Sequence, residues 1–174
     1  KDTVAMSEKM YEEANKRKYE ICSTVKKLQE QHIETAHYYV QIVDYVSEVS
    51  KALLHSIRPA YDHINNNHRG LSAEQIQDLK LINDKVDEIF RQISDMLAKK
   101  DFSQLDDVMV KRDDLFDTIA EIIKNHIKRV RNDSTSSSRA SALFLNILSE
   151  TKTMVLQARN MIKSEAYFLN AIKE

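Results

Sequence analysis

One glycine (Gly70), one proline (Pro59), one cysteine (Cys22) and no tryptophan in 174 residues remove most of what a loop-rich or disulfide-stapled fold is made from. A single glycine cannot build a phosphate-cradling loop, and no serine stands in a strained, glycine-flanked turn of the kind that exposes a nucleophile. A lone cysteine has no partner for an internal disulfide. Cys22 falls in the apolar rhythm of the first helix, where small-core packing in a reducing compartment is the expectation. Neither sign of charge dominates, with 26 Lys and Arg against 27 Asp and Glu, so no overall field exists to hold a polyanion and nucleic acid is excluded as a partner. No run approaches the roughly 20 apolar residues of a membrane-spanning helix, and no signal-peptide pattern opens the chain. The chain begins at Lys1 without an initiator methionine, which predicts a piece of a larger protein and confines the missing span to this segment.

What fills the chain instead is apolar side chains at helical spacing. Met10, Ala14, Ile21, Val25 and Leu28 mark helix one, from Val4 to about Leu28. Between Gln29 and Glu34 the stripe changes phase, predicting a turn there or a continuous bent helix. Helix two carries Tyr39, Val43, Val46, Leu53, Ile57, Ala60 and Ile64 as a core seam with Ser50 in one slot. Pro59 predicts a kink near His55, and the helix should stop in Asn65, Asn66 and Asn67 with Gly70 as the left-handed cap. Ser72 and Gln75 form a capping box that opens helix three, read through Ile76, Leu79, Ile82, Val86, Ile89, Ile93 and Met96. After a turn at Lys99 to Ser103, helix four is read through Leu105, Met109, Leu115 or Phe116, Ile119, Ile123, Ile127 and Val130. Helix five follows the Asn132 to Ser138 loop through Phe144, Ile147, Thr151, Met154, Ala158, Met161, Ala166, Leu169 and Ile172. The expected fold is all-α, an up-and-down bundle of about five long antiparallel helices in one domain, 1–174. Residues 71–174 read as a complete three-helix unit and residues 1–70 as part of a second one.

Chemistry is sparse. Asp44 and Glu48 stand one turn apart on helix two, flanked by His37, Gln41 and His55. Such a pair grips a divalent cation if other helices supply further ligands, and is otherwise a solvated stripe opposite the seam. Glu34 and His37 match the Glu-x-x-His element of carboxylate metal bundles, but no second copy exists, since Glu121 and His126 fall on different faces. The basic run Lys124 to Arg131 complements a helix C-terminus or meets an anionic surface. Ser134, Ser136, Ser137 and Ser138 serve as turn and cap residues, or as phosphorylation sites beside those cations.

The stretch Glu34-Thr-Ala-His37-Tyr-Tyr-Val-Gln-Ile-Val-Asp44-Tyr-Val-Ser-Glu48, followed by Pro59-Ala-Tyr-Asp-His-Ile-Asn-Asn-Asn-His68, resembles the PhoU-like cytosolic C-terminal region of bacterial sodium/phosphate cotransporter family proteins, of a Bacteroidetes type. The resemblance runs over nearly the whole chain. It implies repeated three-helix units, spectrin-repeat-like in build, with an acidic motif in the third helix of each lining a multi-helix metal site. Asp44-x-x-x-Glu48 occupies the first motif, with Tyr45, Val46 and Ser47 in place of the usual Arg-Ile-Gly interior. Asn146-x-x-x-Glu150 occupies the second, with an amide for one carboxylate. Lys111-Arg-Asp113-Asp-Leu-Phe-Asp117 resembles the acidic middle-helix segment and adds Asp113 and Asp117. The resemblance thus implies a divalent metal ion as ligand and a regulatory, non-enzymatic domain at the cytoplasmic face of the inner membrane. It would act on the transmembrane portion of its own transporter in phosphate uptake or signalling. An incomplete first unit leaves an apolar groove along helices one and two, which predicts a homodimer.

Overall fold

The structure, a computed structural model, describes residues 1–27, 33–132 and 137–171, with only the backbone at Cys22 and Glu34. Leu28, the Gln29 to His32 part of the expected turn, Ser134, Ser136 and Ile172 lie outside the described residues, as do the side chains of Cys22 and Glu34. The described residues form five helices: α1 (Asp2–Val25), α2 (Ile33–Asn65), α3 (Ala73–Lys99), α4 (Leu105–Asn132) and α5 (Ser138–Ala171). No strand occurs among the described residues. The all-α bundle expected from the periodicity is the observed class.

The helix ends follow local chemistry. Ser72 Oγ accepts from the Gln75 N–H while Gln75 Oε1 accepts from the Ser72 N–H at 2.8 Å, the reciprocal pair that satisfies two orphan donors at the start of α3. The end of α2 corrects the sequence reading: the left-handed residue is Asn67, with φ 52, and Gly70 has no positive φ. The His68 N–H reaches the His63 carbonyl at 3.1 Å and the Asn67 N–H reaches that of Ile64 at 3.0 Å, so the backbone has turned before glycine is reached. Asparagine tolerates that geometry through its short polar side chain. Lys100 repeats the device after α3, with φ 52 and the Asp101 N–H on the Met96 carbonyl.

α5 is the shared rod. α3, α4 and α5 all touch one another, α2 makes its most extensive packing along α5, and among the described helices α1 packs on α2 alone. Phe144, Leu148, Thr151, Val155, Ala158 and Ile162 are buried on α5 at alternating steps of four and three, the seam that meets neighbouring helices. All but Thr151 join the main core with Ile82, Ile89, Ile93 and Met96 of α3 and Val108, Leu115, Ile119 and Ile122 of α4.

Two stripes depart from the expected ones. On α2 the buried residues are Ala36, Ser47, Ser50, Ala52 and His63, whereas Tyr39 and Ile64 are exposed. α2 lies between α1 and α5 and meets both through small side chains, which let helices approach closely, while the larger apolar side chains fill the flanks. On α4 the buried series is Leu115, Ile119, Ile122 and His126, and Ile127 is exposed. The phase continues in steps of four and three through His126, which the expected route through Ile123 and Ile127 passes by. α2 runs unbroken through Pro59.

Candidate functional site

Asp44 and Glu48 share a face of α2 as their spacing requires, and that face meets α1. Lys18 Nζ lies 2.5 Å from Asp44 Oδ1, and the hydrogen bond to Asp44, with the charges of Asp44 and Glu48 behind it, holds the Lys18 ammonium above its ordinary pKa against some desolvation. Glu48 Oε2 is also 3.7 Å from Lys51 Nζ. The cation at this carboxylate pair is therefore a side-chain ammonium tethered to the neighbouring helix. Removing it as Lys18→Met is expected to raise affinity for Mn²⁺ at Asp44 and Glu48 on the order of tenfold, since one nearby partly screened charge is lost. A Mn²⁺ titration followed by electron paramagnetic resonance checks this, and equal affinity in both proteins would show that Lys18 does not occupy the pair.

The second motif lies elsewhere along the bundle. Moving from Tyr38 to Gln41 to His55 along α2 moves the partner from Tyr167 to Ser164 to Glu150 along α5, equal steps in opposite directions that fix an antiparallel register. On that register Asp44 and Glu48 lie level with Met161 and Gln157, and Glu150 lies level with His55, roughly 10 Å farther along the axis than Glu48. Glu150 Oε1 is 3.9 Å from His55 Nδ1. Asn146 Nδ2 donates to the His55 carbonyl at 3.0 Å. That carbonyl is the one Pro59 leaves without its intrahelical donor, so the amide at 146 completes the hydrogen bonding of α2.

Asp113 and Asp117 are exposed on α4, a helix that packs on α3 and α5 and makes no contact with α2. Asp113 Oδ1 accepts from Arg112 Nε at 2.9 Å. The expected single centre of Asp44, Glu48, Glu150, Asn146, Asp113 and Asp117 is thus divided over three places. The reason is axial register for Asn146 and Glu150, and helix order for Asp113 and Asp117. Among the described residues no group of three or more His, Cys, Asp or Glu side chains could share a metal ion.

The remaining candidates have structural partners. Gln41 Oε1 accepts from Ser164 Oγ at 3.2 Å, and His37 lies against Tyr38 with ring centroids 3.8 Å apart. In the basic run, Arg129 Nη2 donates to Asp78 Oδ2 on α3 at 2.6 Å and Lys124 pairs with Glu121. Ser137 Oγ accepts from the Ala140 N–H at 3.3 Å, the cap that opens α5.

Two histidine environments at one end of the bundle went unread in the sequence. His63, 8% exposed, lies 2.8 Å from the Arg69 carbonyl through Nε2 and edge-on to His68 at 5.2 Å. Arg139 Nη1 lies 3.0 Å from the ring nitrogens of His68. Desolvation, then the Arg139 and His63 charges, lowers the His68 pKa. His126 is 3% exposed, stacks obliquely on Phe144 with centroids 4.8 Å apart, and neither ring nitrogen meets a hydrogen-bond partner among the described residues. Burial first, then Arg129, lowers its pKa from 6.5, with Asp78 opposing. The signal in the sequence was the unbroken step series ending at His126.

The depressed pKa has a sign. Below about 6.5 the unfolded chain takes up a proton at His126 that the folded chain refuses, so stability falls as the pH drops through that value and levels off at the lower folded pKa. Urea midpoints at falling pH should show the loss, and His126→Leu should flatten its share of the slope; an unchanged slope would mean that burial does not hold His126 neutral. His68 contributes with the same sign and remains in the variant.

No helix among the described residues is long and apolar enough to cross a membrane. Comparison with protein-family models, curated proteins and solved structures returns no match for the chain.

Proposed function

We propose that this chain is a regulatory and interaction bundle, a PhoU-like domain that acts on the transmembrane part of a sodium-dependent phosphate transporter from the cytoplasmic side. The resemblance in the Glu34 to Glu48 and Pro59 to His68 stretches is what brings transport into the reading. The observation that carries the interaction role is the state of α1: among the described helices it rests on α2 alone, and its Met6 and Met10, one turn apart, are 67% and 42% exposed. Apolar side chains left out of a core on a helix with one neighbour suit a surface that a partner covers. The polar groups point the same way, since among the described residues Asp44, Glu88 and Asp114 pair with lysines, and Glu8 and Asp78 with arginines, of neighbouring helices. Regulation by such a bundle works through packing against a partner. Phosphate uptake by cells carrying the full-length gene, with and without the coding region for this segment, tests the proposal. A changed uptake rate or phosphate response is expected, and uptake indifferent to the deletion would overturn it.

A further inference from the structure

At the end of the bundle where α4 finishes and α3 and α5 begin, a cavity of about 680 Å³ opens between the three helices. Its volume falls in the range of sites that take small organic molecules. Arg69, Arg129 and His126 line it, with Leu71 and Val130 among the apolar parts of the wall. α3 and α5 both direct their positive ends here. At α3 that end is already engaged by the Ser72 and Gln75 capping box. Glu74 is the carboxylate among the described lining residues; hydrogen bonds from its own backbone N–H and Ser72, with the Arg129 charge behind them, keep it ionised, and the charges of Arg69 and Arg129 outnumber it. Arg129 reaches Asp78 through one nitrogen, Nη2, and a guanidinium has donors beyond that one.

The second and independent observation is His126. A buried imidazole without partners on either nitrogen is destabilising, because each polar group gives up water and gains nothing in return, and native proteins rarely leave such groups unexplained. In the core of α4 a leucine would fill the position without that cost. The imidazole lines the same cavity as the two arginines.

We infer that this cavity is a binding site for a small organic anion, whose phosphate or carboxylate group is held by Arg69, Arg129 and the His126 N–H while its apolar part lies on Leu71 and Val130. Arg129 supplies a charge-assisted hydrogen bond with geometry suited to an oxyanion. His126 in its neutral form donates one hydrogen bond from the buried side. The site lies apart from the acidic residues of α2 and does not depend on the assignment to phosphate transport.

Nuclear magnetic resonance of ¹⁵N-labelled full chain, read at the His126 ring nitrogens, tests the site with three probes: inorganic phosphate, phenyl phosphate and benzoate. At least one is expected to shift the His126 signals in a saturable way. Binding by inorganic phosphate as strong as by phenyl phosphate places the recognition in the oxyanion alone. Stronger binding by phenyl phosphate or benzoate adds the apolar wall and names which head group is preferred. Arg129→Gln and Arg69→Gln should each weaken binding on the order of tenfold, and His126→Leu, which lacks the imidazole signal and is followed by calorimetric titration with the same probes, should weaken it with the fold retained. Saturable binding unaffected by these three substitutions would overturn the site, as would His126 signals indifferent to all three probes, which would leave water as the occupant.

Discussion

Replacing Phe144 with alanine is expected to lower the unfolding free energy by about 3–5 kcal/mol. Phe144 is fully buried and is the largest side chain so completely buried among the described residues. It stands on α5, the rod that α2, α3 and α4 all use, so the cavity left behind borders several helices and cannot close by moving one of them. For a domain of this size the loss corresponds to roughly 10 °C in Tm, and out of a total of about 5–15 kcal/mol it is a large share. Tyr167→Ala, on the same helix but at a residue 49% exposed, should cost far less. Urea unfolding of both variants makes the comparison. Equal losses would show that the core is not centred on α5. Because the Phe144 ring lies against His126, the same substitution should also loosen the imidazole, which a less depressed His126 pKa would report.

The second large effect concerns Pro59. A proline inside a helix removes one hydrogen bond and crowds the carbonyl four residues before it, so Pro59→Ala should stabilise α2 by about 1–3 kcal/mol, part of the helix-interior penalty being offset by the greater freedom of the unfolded chain. The structure adds a specific coupling. In the parent protein Asn146→Ala strips the His55 carbonyl of its donor and should cost about 1 kcal/mol. In the Pro59→Ala background the alanine N–H takes over that carbonyl, and the cost of Asn146→Ala should shrink towards zero. A double-mutant cycle by denaturant unfolding reads the interaction directly. Asn146→Asp should be worse than Asn146→Ala, because a carboxylate would face a carbonyl oxygen with Glu150 one turn away. If Asn146→Asp proves the milder change, the amide is not there for the His55 carbonyl.

These residues mark where the sequence was readable and where it was not. Helix number, the Ser72 capping box and the turn after Lys99 follow from local rules, and local rules are visible in a string of residues. The core of α3 is equally legible, since Ile82, Ile89, Ile93 and Met96 face one side only. α2 is different. With α1 on one side and α5 on the other, its buried positions include Ala36, Ser47 and Ala52, small residues that carry little hydrophobic signal. Reading the large apolar residues as the seam then selects Tyr39 and Ile64, which are exposed. On α4 a histidine continued the core, and a preference for apolar types moved the expected stripe one position away from it.

The candidate site fails to assemble for a related reason. One-turn spacing within a helix is local, and Asp44 and Glu48 do share a face. Whether Asn146 and Glu150 meet them depends on the axial register of α2 against α5, which packing sets. Asn146 illustrates the point most sharply: in sequence it stands where the resemblance places a carboxylate, and in the fold it answers a proline on another helix. Its role is invisible until Pro59 and Asn146 are brought together.

The register of α2 against α5 is what divides the site, and paired cysteines measure it. In a Cys22→Ser background, Gln41→Cys with Ser164→Cys should form a disulfide under mild oxidation, because their present side chains meet at 3.2 Å. Asp44→Cys with Asn146→Cys should not, being separated by several turns along the antiparallel pair. Ready cross-linking of the Asp44 and Asn146 positions, with none between Gln41 and Ser164, would bring the two acidic motifs to one level and contradict the division of the site described above.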